Sequence, residues 1–148
     1  MEPTLSDADR LIVLKLGKTV ASITGGDFVP ERGDIVVFKR DGSDKNQLIK
    51  RVVGLPGERV SVGNGEITVF NDEFPGGFNP DTTYEADLPP TDGVAETVVG
   101  AREIFVVGDN RLPGRSLDSR SSLGNVSVDD IVGTLVLRFF PFNSLKAF

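Results

Sequence analysis

The stretch "NQLIKRVVGLPGERVSV" sets Lys50 in a run of aliphatic residues that otherwise reads as a buried β-strand. Alternation puts Leu48, Lys50 and Val52 on one face and Ile49, Arg51 and Val53 on the other, so whichever face turns inward carries a cation with it. The two cations have different options. Arg51 cannot lose its proton and must meet a carboxylate or backbone carbonyls, whereas a desolvated lysine can deprotonate. A neutral lysine amine is a general base. The ordinary alternative is a lysine at a strand edge that keeps its ammonium in water.

Two zeros in the composition narrow the chemistry further: the 148 residues contain no cysteine and no histidine. A Ser-His-Asp triad is excluded, as are a thiol nucleophile, a disulfide framework and the usual zinc sites. Acyl-transfer chemistry in this chain must find another base, and no cofactor or metal is expected. Lys+Arg of 16 against Asp+Glu of 22 gives a net charge of −6 with no basic run, which argues against a nucleic-acid partner. No apolar run approaches the ~20 residues of a membrane-spanning helix, and the N-terminus lacks a signal-peptide pattern.

The elements that must position Lys50 are strands. "LIVLKLG" (Leu11 to Gly17), "DIVVFKR" (Asp34 to Arg40), "QLIKRVVGL" (Gln47 to Leu55), "ERVSV" (Glu58 to Val62), "EITVF" (Glu66 to Phe70), "EIFVVGD" (Glu103 to Asp109) and "IVGTLVLRFF" (Ile131 to Phe140) are short, rich in Val, Ile and Phe, and bounded by turn residues. No comparable stretch carries a sustained helical period. Asn64-Gly65 between two alternating runs predicts a tight hairpin. The expectation is a β-dominated fold of antiparallel strands in a partly open, barrel-like arrangement, one domain over residues 1–148. Residues 71–93, dense in proline and glycine, read as a surface excursion packed back by Phe74, Phe78 and Tyr84, and as a variable insertion rather than a lid.

"RGDIVVF" (Arg32 to Phe38), "IKRVVGLPGE" (Ile49 to Glu58), and "GDNR" with "SLDSR" (Gly108 to Arg111, Ser116 to Arg120) resemble, in order and spacing, the segments of bacterial type I signal peptidase. That family is a membrane-anchored serine protease with a Ser/Lys dyad. The closing "VLRFFPFNSL" is similar to the way its domains often end. The resemblance implies Lys50 as general base and Ser116 as the hydroxyl that orients its amine. It implies an Asp118–Arg120 ion pair near the site, with Arg51, Asp109, Asn110 and Arg111 in supporting structural roles. By the same match Met1, Pro3, Leu5, Val37 and Ile49 line shallow pockets that admit small residues, as in Ala-x-Ala cleavage sites. Ordinary core packing would account for those five as well. One departure stands out: Leu112-Pro113-Gly114-Arg115 separates Arg111 from Ser116, two residues more than in the family's run. Ser119 is therefore a rival for the lysine-orienting hydroxyl.

"MEPTL" also belongs to the pattern. In the family the nucleophilic serine directly precedes such a segment, so its counterpart would stand just before Met1. An upstream hydroxyl that helps bind the oxyanion, and the membrane anchor, would lie further back. The expectation is a catalytic domain cut just after its nucleophile and inactive by itself. In the intact enzyme it would be a monomer on the extracytoplasmic side of the cell membrane, acting on signal peptides of exported preproteins. Two other readings stay open: a self-cleaving repressor-type Ser/Lys peptidase domain, which "GDNR" and "SLDSR" speak against, and a peptide-binding β-domain without catalysis.

Overall fold

The computed structural model describes residues 1–6, 9–15, 28–40, 42–84, 86–140 and 146–147. Its strands are β1 (Arg10–Leu14), β2 (Ile35–Arg40), β3 (Ser43–Gly54), β4 (Arg59–Gly63), β5 (Glu66–Phe70), β6 (Ala95–Val98), β7 (Glu103–Val107), β8 (Val126–Ser127), β9 (Ile131–Phe140) and β10 (Lys146–Ala147). Two 3-10 turns, Pro80–Thr83 and Val128–Asp130, are the helical elements among the described residues. None is long and apolar enough to cross a membrane.

The strands form two antiparallel sheets. One has seven strands in the order β1-β9-β2-β3-β7-β8, with β10 also paired to β9, and the other has three in the order β5-β4-β6. The expected antiparallel, β-dominated fold is present, and neither sheet closes into a barrel. β2 is an uninterrupted apolar run because it lies between β3 and β9 with side chains buried on both faces. On one face Val36 and Phe38 pack with Val52, Ile104, Val106 and Ile131. On the other Ile35 packs with Leu5 and Leu135, flanked by Met1, Leu11, Val13 and Ile49.

The β4–β5 hairpin has the predicted two-residue turn, with Gly63 opposite Glu66 and positive φ at Asn64 (54°) and Gly65 (86°). That backbone twist matches the twist of the flanking strands, and Asn-Gly tolerates it best. The sheet it seeds packs Val60, Val62, Ile67 and Val69 against Val53, Phe105 and Val107 of the larger sheet.

Of the strands read from sequence, the first is shorter, ending at Leu14, with Leu16 and Gly17 outside the described residues. The Pro141 to Leu145 part of the closing segment also lies outside them. β6, β8 and β10 are additions that the sequence did not suggest. β6 completes the smaller sheet along β4, although its own burial merely alternates between half-buried and exposed. Strand identity there comes from the partner rather than from its side chains.

Segment 71–93 is held at several points. Phe78 forms a β-bridge with Val69 and packs on the second core, Thr91 forms one with Gly65, and Tyr84 lies against Gly33 and under the Arg51 guanidinium. Phe74 sets its ring tilted at 57° to that of Phe78, centroids 5.0 Å apart, yet stays exposed.

Candidate active site

Lys50 pairs with Val36 on one side of β3. On the other side, Arg51 pairs with Val107 and Val52 with Val106, so β7 ends one residue before the position across from Lys50, and Gly108 is the next residue of the chain. The lysine therefore projects from the apolar face shared by Leu48, Val52 and Val36, at the point where β7 ends in the Gly108-Asp109 turn. Burial pushes its pKa below the ordinary lysine value. Asp118 and Asp109 pull the other way and Arg120 reinforces the fall, which places all three charges within electrostatic reach of the amine.

The residues after β7 fold back over this point. Gly108 N–H donates to Asp118 Oδ2 at 3.0 Å, and the Arg120 guanidinium grips the same carboxylate at 3.0 and 2.9 Å. Burial alone would raise the Asp118 carboxyl. The Arg120 guanidinium, the Gly108 N–H and the neighbouring Ser116 outweigh it and hold the group below the usual carboxylate range. Asp118 thus stays ionised, and Arg120 offsets part of the pull that its charge exerts on the lysine.

The two serines that could serve Lys50 are in different situations. Ser119 is committed: its N–H donates to Val106 O at 3.0 Å and its Oγ accepts from Val106 N–H at 2.9 Å, clasping the loop to β7. Ser116 Oγ is buried, rests on the bare Cα of Gly108 and lies beside the Asp118 carboxylate, whose ionised form it favours, without a hydrogen bond of good geometry. A buried hydroxyl left unsatisfied needs an explanation.

Asp109 organises the opposite face. Fully buried, it takes a two-pronged contact from Arg51, Nε at 2.9 Å and Nη2 at 2.7 Å, while Arg51 Nη1 donates to Gly33 O at 2.9 Å. These are the carboxylate and carbonyl that a permanently charged strand residue requires. The Thr4 hydroxyl also donates to Asp109. The Met1–Leu5 segment is thereby tied to the residue next to Lys50. Thr4 was not singled out from sequence, although it lies within "MEPTL".

Arg111, also fully buried, turns away to the 71–93 segment, donating to both Asp81 carboxylate oxygens at 2.7 Å and to Thr91 Oγ1 at 2.6 Å. Asn110 is half-buried between the two charged residues. Among the five matched pocket residues, Met1, Leu5 and Ile49 come together in one cluster, Val37 is buried on the same face of β2, and Pro3 is exposed.

Comparison with known proteins gives the family. The family described as signal peptidase, peptidase S26, matches residues 1–140. Signal peptidase I P of Bacillus subtilis subsp. natto is 37% identical over 150 residues, covering 99% of this chain and 75% of that protein. Signal peptidase I U of Bacillus subtilis (strain 168) is 35% identical over 148 residues, covering 99% and 74%. The solved structure of a signal peptidase I from Enterococcus faecalis V583 aligns with a TM-score of 0.49 at 27% identity, covering 73% of this chain and 97% of that one.

Proposed function

The chain belongs to the peptidase S26 family of signal peptidases, and from that premise we propose that Lys50 is the general base of a Ser/Lys dyad. In this reading the chain carries the catalytic framework of a serine endopeptidase that cuts signal peptides from exported preproteins after small residues, of the Ala-x-Ala type. The observation that supports it best is the lysine's placement: an amine on an apolar strand face, its ammonium disfavoured by burial, beside the end of β7, where Ser116 Oγ rests on Gly108 without a hydrogen bond of good geometry.

The chemistry follows from that placement. Neutral Lys50 takes the proton of a serine hydroxyl, the oxygen attacks the scissile carbonyl, and the resulting ammonium returns the proton to the leaving amine. Water then releases the acyl group. With substrate bound, Ser116 is to accept a hydrogen bond from the Lys50 amine, one it does not make in the free chain, and so fix the lone pair toward the nucleophile. Asp118 draws a proton onto Lys50, and Arg120 helps keep the base free by offsetting part of that pull. Arg51, Asp109 and Thr4 hold the Met1–Leu5 segment against β3, and Met1, Leu5, Val37 and Ile49 shape the recess for small side chains. Arg111 and Asn110 support the turn from behind. The resemblance puts the attacking serine immediately ahead of Met1 and a membrane anchor beyond it, with the domain facing the extracytoplasmic side.

A test uses the chain extended by one serine ahead of Met1 and a peptide with an Ala-x-Ala site. Cleavage is expected, with Lys50→Ala lowering it roughly 10²–10⁴-fold, the usual contribution of a general base. The unextended chain is expected to be inactive. Equal cleavage by the extended protein and its Lys50→Ala variant would overturn the reading.

A further inference from the structure

A cavity of about 460 Å³ opens on the Ile35 face of the large sheet, within the roughly 300–1,000 Å³ common for small-ligand sites. Asp34, Ile35, Arg51 and Leu135 line it from the sheet side, and Thr83 and Tyr84 from the 71–93 segment. It adjoins the recess described above, because Ile35 and Leu135 pack with Met1, Leu5 and Ile49, and Arg51 follows Lys50 in β3.

The charges around this cavity do not balance. Arg51 is taken by Asp109, Arg32 at the rim by Glu58, and Asp81 by Arg111. Asp34 is left over. Its carboxylate accepts one N–H, from Glu31 at 2.9 Å, and among the described residues it has no ion pair. Burial pushes its carboxyl up, the Glu31 N–H offsets part of this, and the nearby Glu31 charge adds to the rise. A carboxylate drawn partly out of water without a cation is a costly arrangement unless a ligand completes it. Around it stand the aliphatic side chains of Ile35 and Leu135 and the ring of Tyr84.

We propose that this cavity is a subsite for a lysine side chain of the bound substrate peptide, the ammonium meeting Asp34 and the aliphatic stem lying on Ile35, Leu135 and Tyr84. An anion is disfavoured because both arginines at the cavity are already paired. A purely apolar side chain would leave Asp34 uncompensated. The inference rests on the peptidase reading for the source of the lysine. It gives the 71–93 segment a function, since Tyr84 supplies a wall that the sheet alone lacks.

The test has two arms on the 148-residue chain. In the first, n-butylammonium is titrated while the methyl signals of Ile35 and Leu135 are followed by NMR, with n-butanol as the uncharged control. Saturable shifts with the amine only, abolished by Asp34→Asn, are expected; equal shifts with the alcohol, or shifts that survive Asp34→Asn, overturn the proposal. In the second, Ala-x-Ala peptides carry lysine or norleucine at each position in turn. One position is expected to favour lysine about five-fold in binding, the scale of a partly exposed ion pair, with the preference lost in Asp34→Asn. Asparagine keeps an acceptor for the Glu31 N–H. Should that variant not fold, salt decides: in the unaltered chain the lysine preference must shrink at high ionic strength, and one indifferent to salt overturns the proposal. If the serine-extended protein cleaves these peptides with no lysine preference anywhere, the subsite falls alone. If no peptide is bound or cleaved, the peptidase reading falls and takes the subsite with it.

Discussion

Ser116 Oγ lies against the bare Cα of Gly108, so close that a β-carbon there would come within 2.1 Å of it. Glycine is needed here for space, and the contact decides where the serine hydroxyl can stand relative to Lys50. Gly108→Ala is expected to push Ser116 off its seat and to lower kcat of the serine-extended protein roughly 10²-fold, the scale of an ångström-sized misplacement. KM should change little, because the pocket residues are untouched. Steady-state kinetics with an Ala-x-Ala peptide check this, and a KM effect with normal kcat would contradict it.

Arg120 should act through Asp118 on the base. With Arg120→Gln the Asp118 carboxylate loses its guanidinium partner while remaining near Lys50, so the lysine pKa is expected to rise. The alkaline-going limb of the kcat/KM profile then moves to higher pH, and direct NMR titration of the Lys50 Nζ shows the same shift in the unextended chain. Breaking this buried pair should also cost about 3–5 kcal/mol of stability.

Thr4 should anchor the N-terminal segment. Thr4→Val keeps the shape but removes the hydroxyl that donates to buried Asp109. A loss of about 1.5–3 kcal/mol is expected, as for a hydrogen bond to a charged group, read as a lower urea midpoint at unchanged slope. No loss would mean that Asp109 is satisfied by Arg51 alone.

Stability should rise with pH in two separate windows, an acid one set by Asp118 and an alkaline one set by Lys50. The folded Asp118 carboxyl is below its unfolded value, so its contribution is complete above about pH 4–5 and disappears as pH falls through the folded pKa. Lys50 has its folded pKa lowered, so the unfolded chain binds more protons between that value and about 10.4, and stability rises with pH through this window. Lys50→Met is expected to abolish the rise and leave the acid limb intact. Urea unfolding across the pH range tests both, and a rise unchanged in the variant would separate it from Lys50.

Much of the fold could be read along the chain because its signals are local. Short Val- and Ile-rich runs, the Asn64-Gly65 turn and the both-faces-apolar character of β2 each depend on neighbours a few residues away. Lys50 was legible for the opposite reason, as a local conflict between a charged residue and a strand that otherwise demands apolar side chains. The requirement that Arg51 find an acceptor followed from its fixed charge, but not which acceptor it would be.

Only tertiary structure decided the partners. Asp109 serves Arg51 and Thr4 across separations of 58 and 105 residues, and Arg111 reaches Asp81 across 30. Chain closure over such distances leaves no periodic trace. Which of Ser116 and Ser119 has its hydroxyl engaged was likewise not legible from a run with two extra residues; it turns on which oxygen the Val106 N–H meets. Ser119 gives its hydroxyl to the Val106 N–H and Ser116 does not, because register and loop path, not residue type, determine which hydrogen-bonding groups remain unspent.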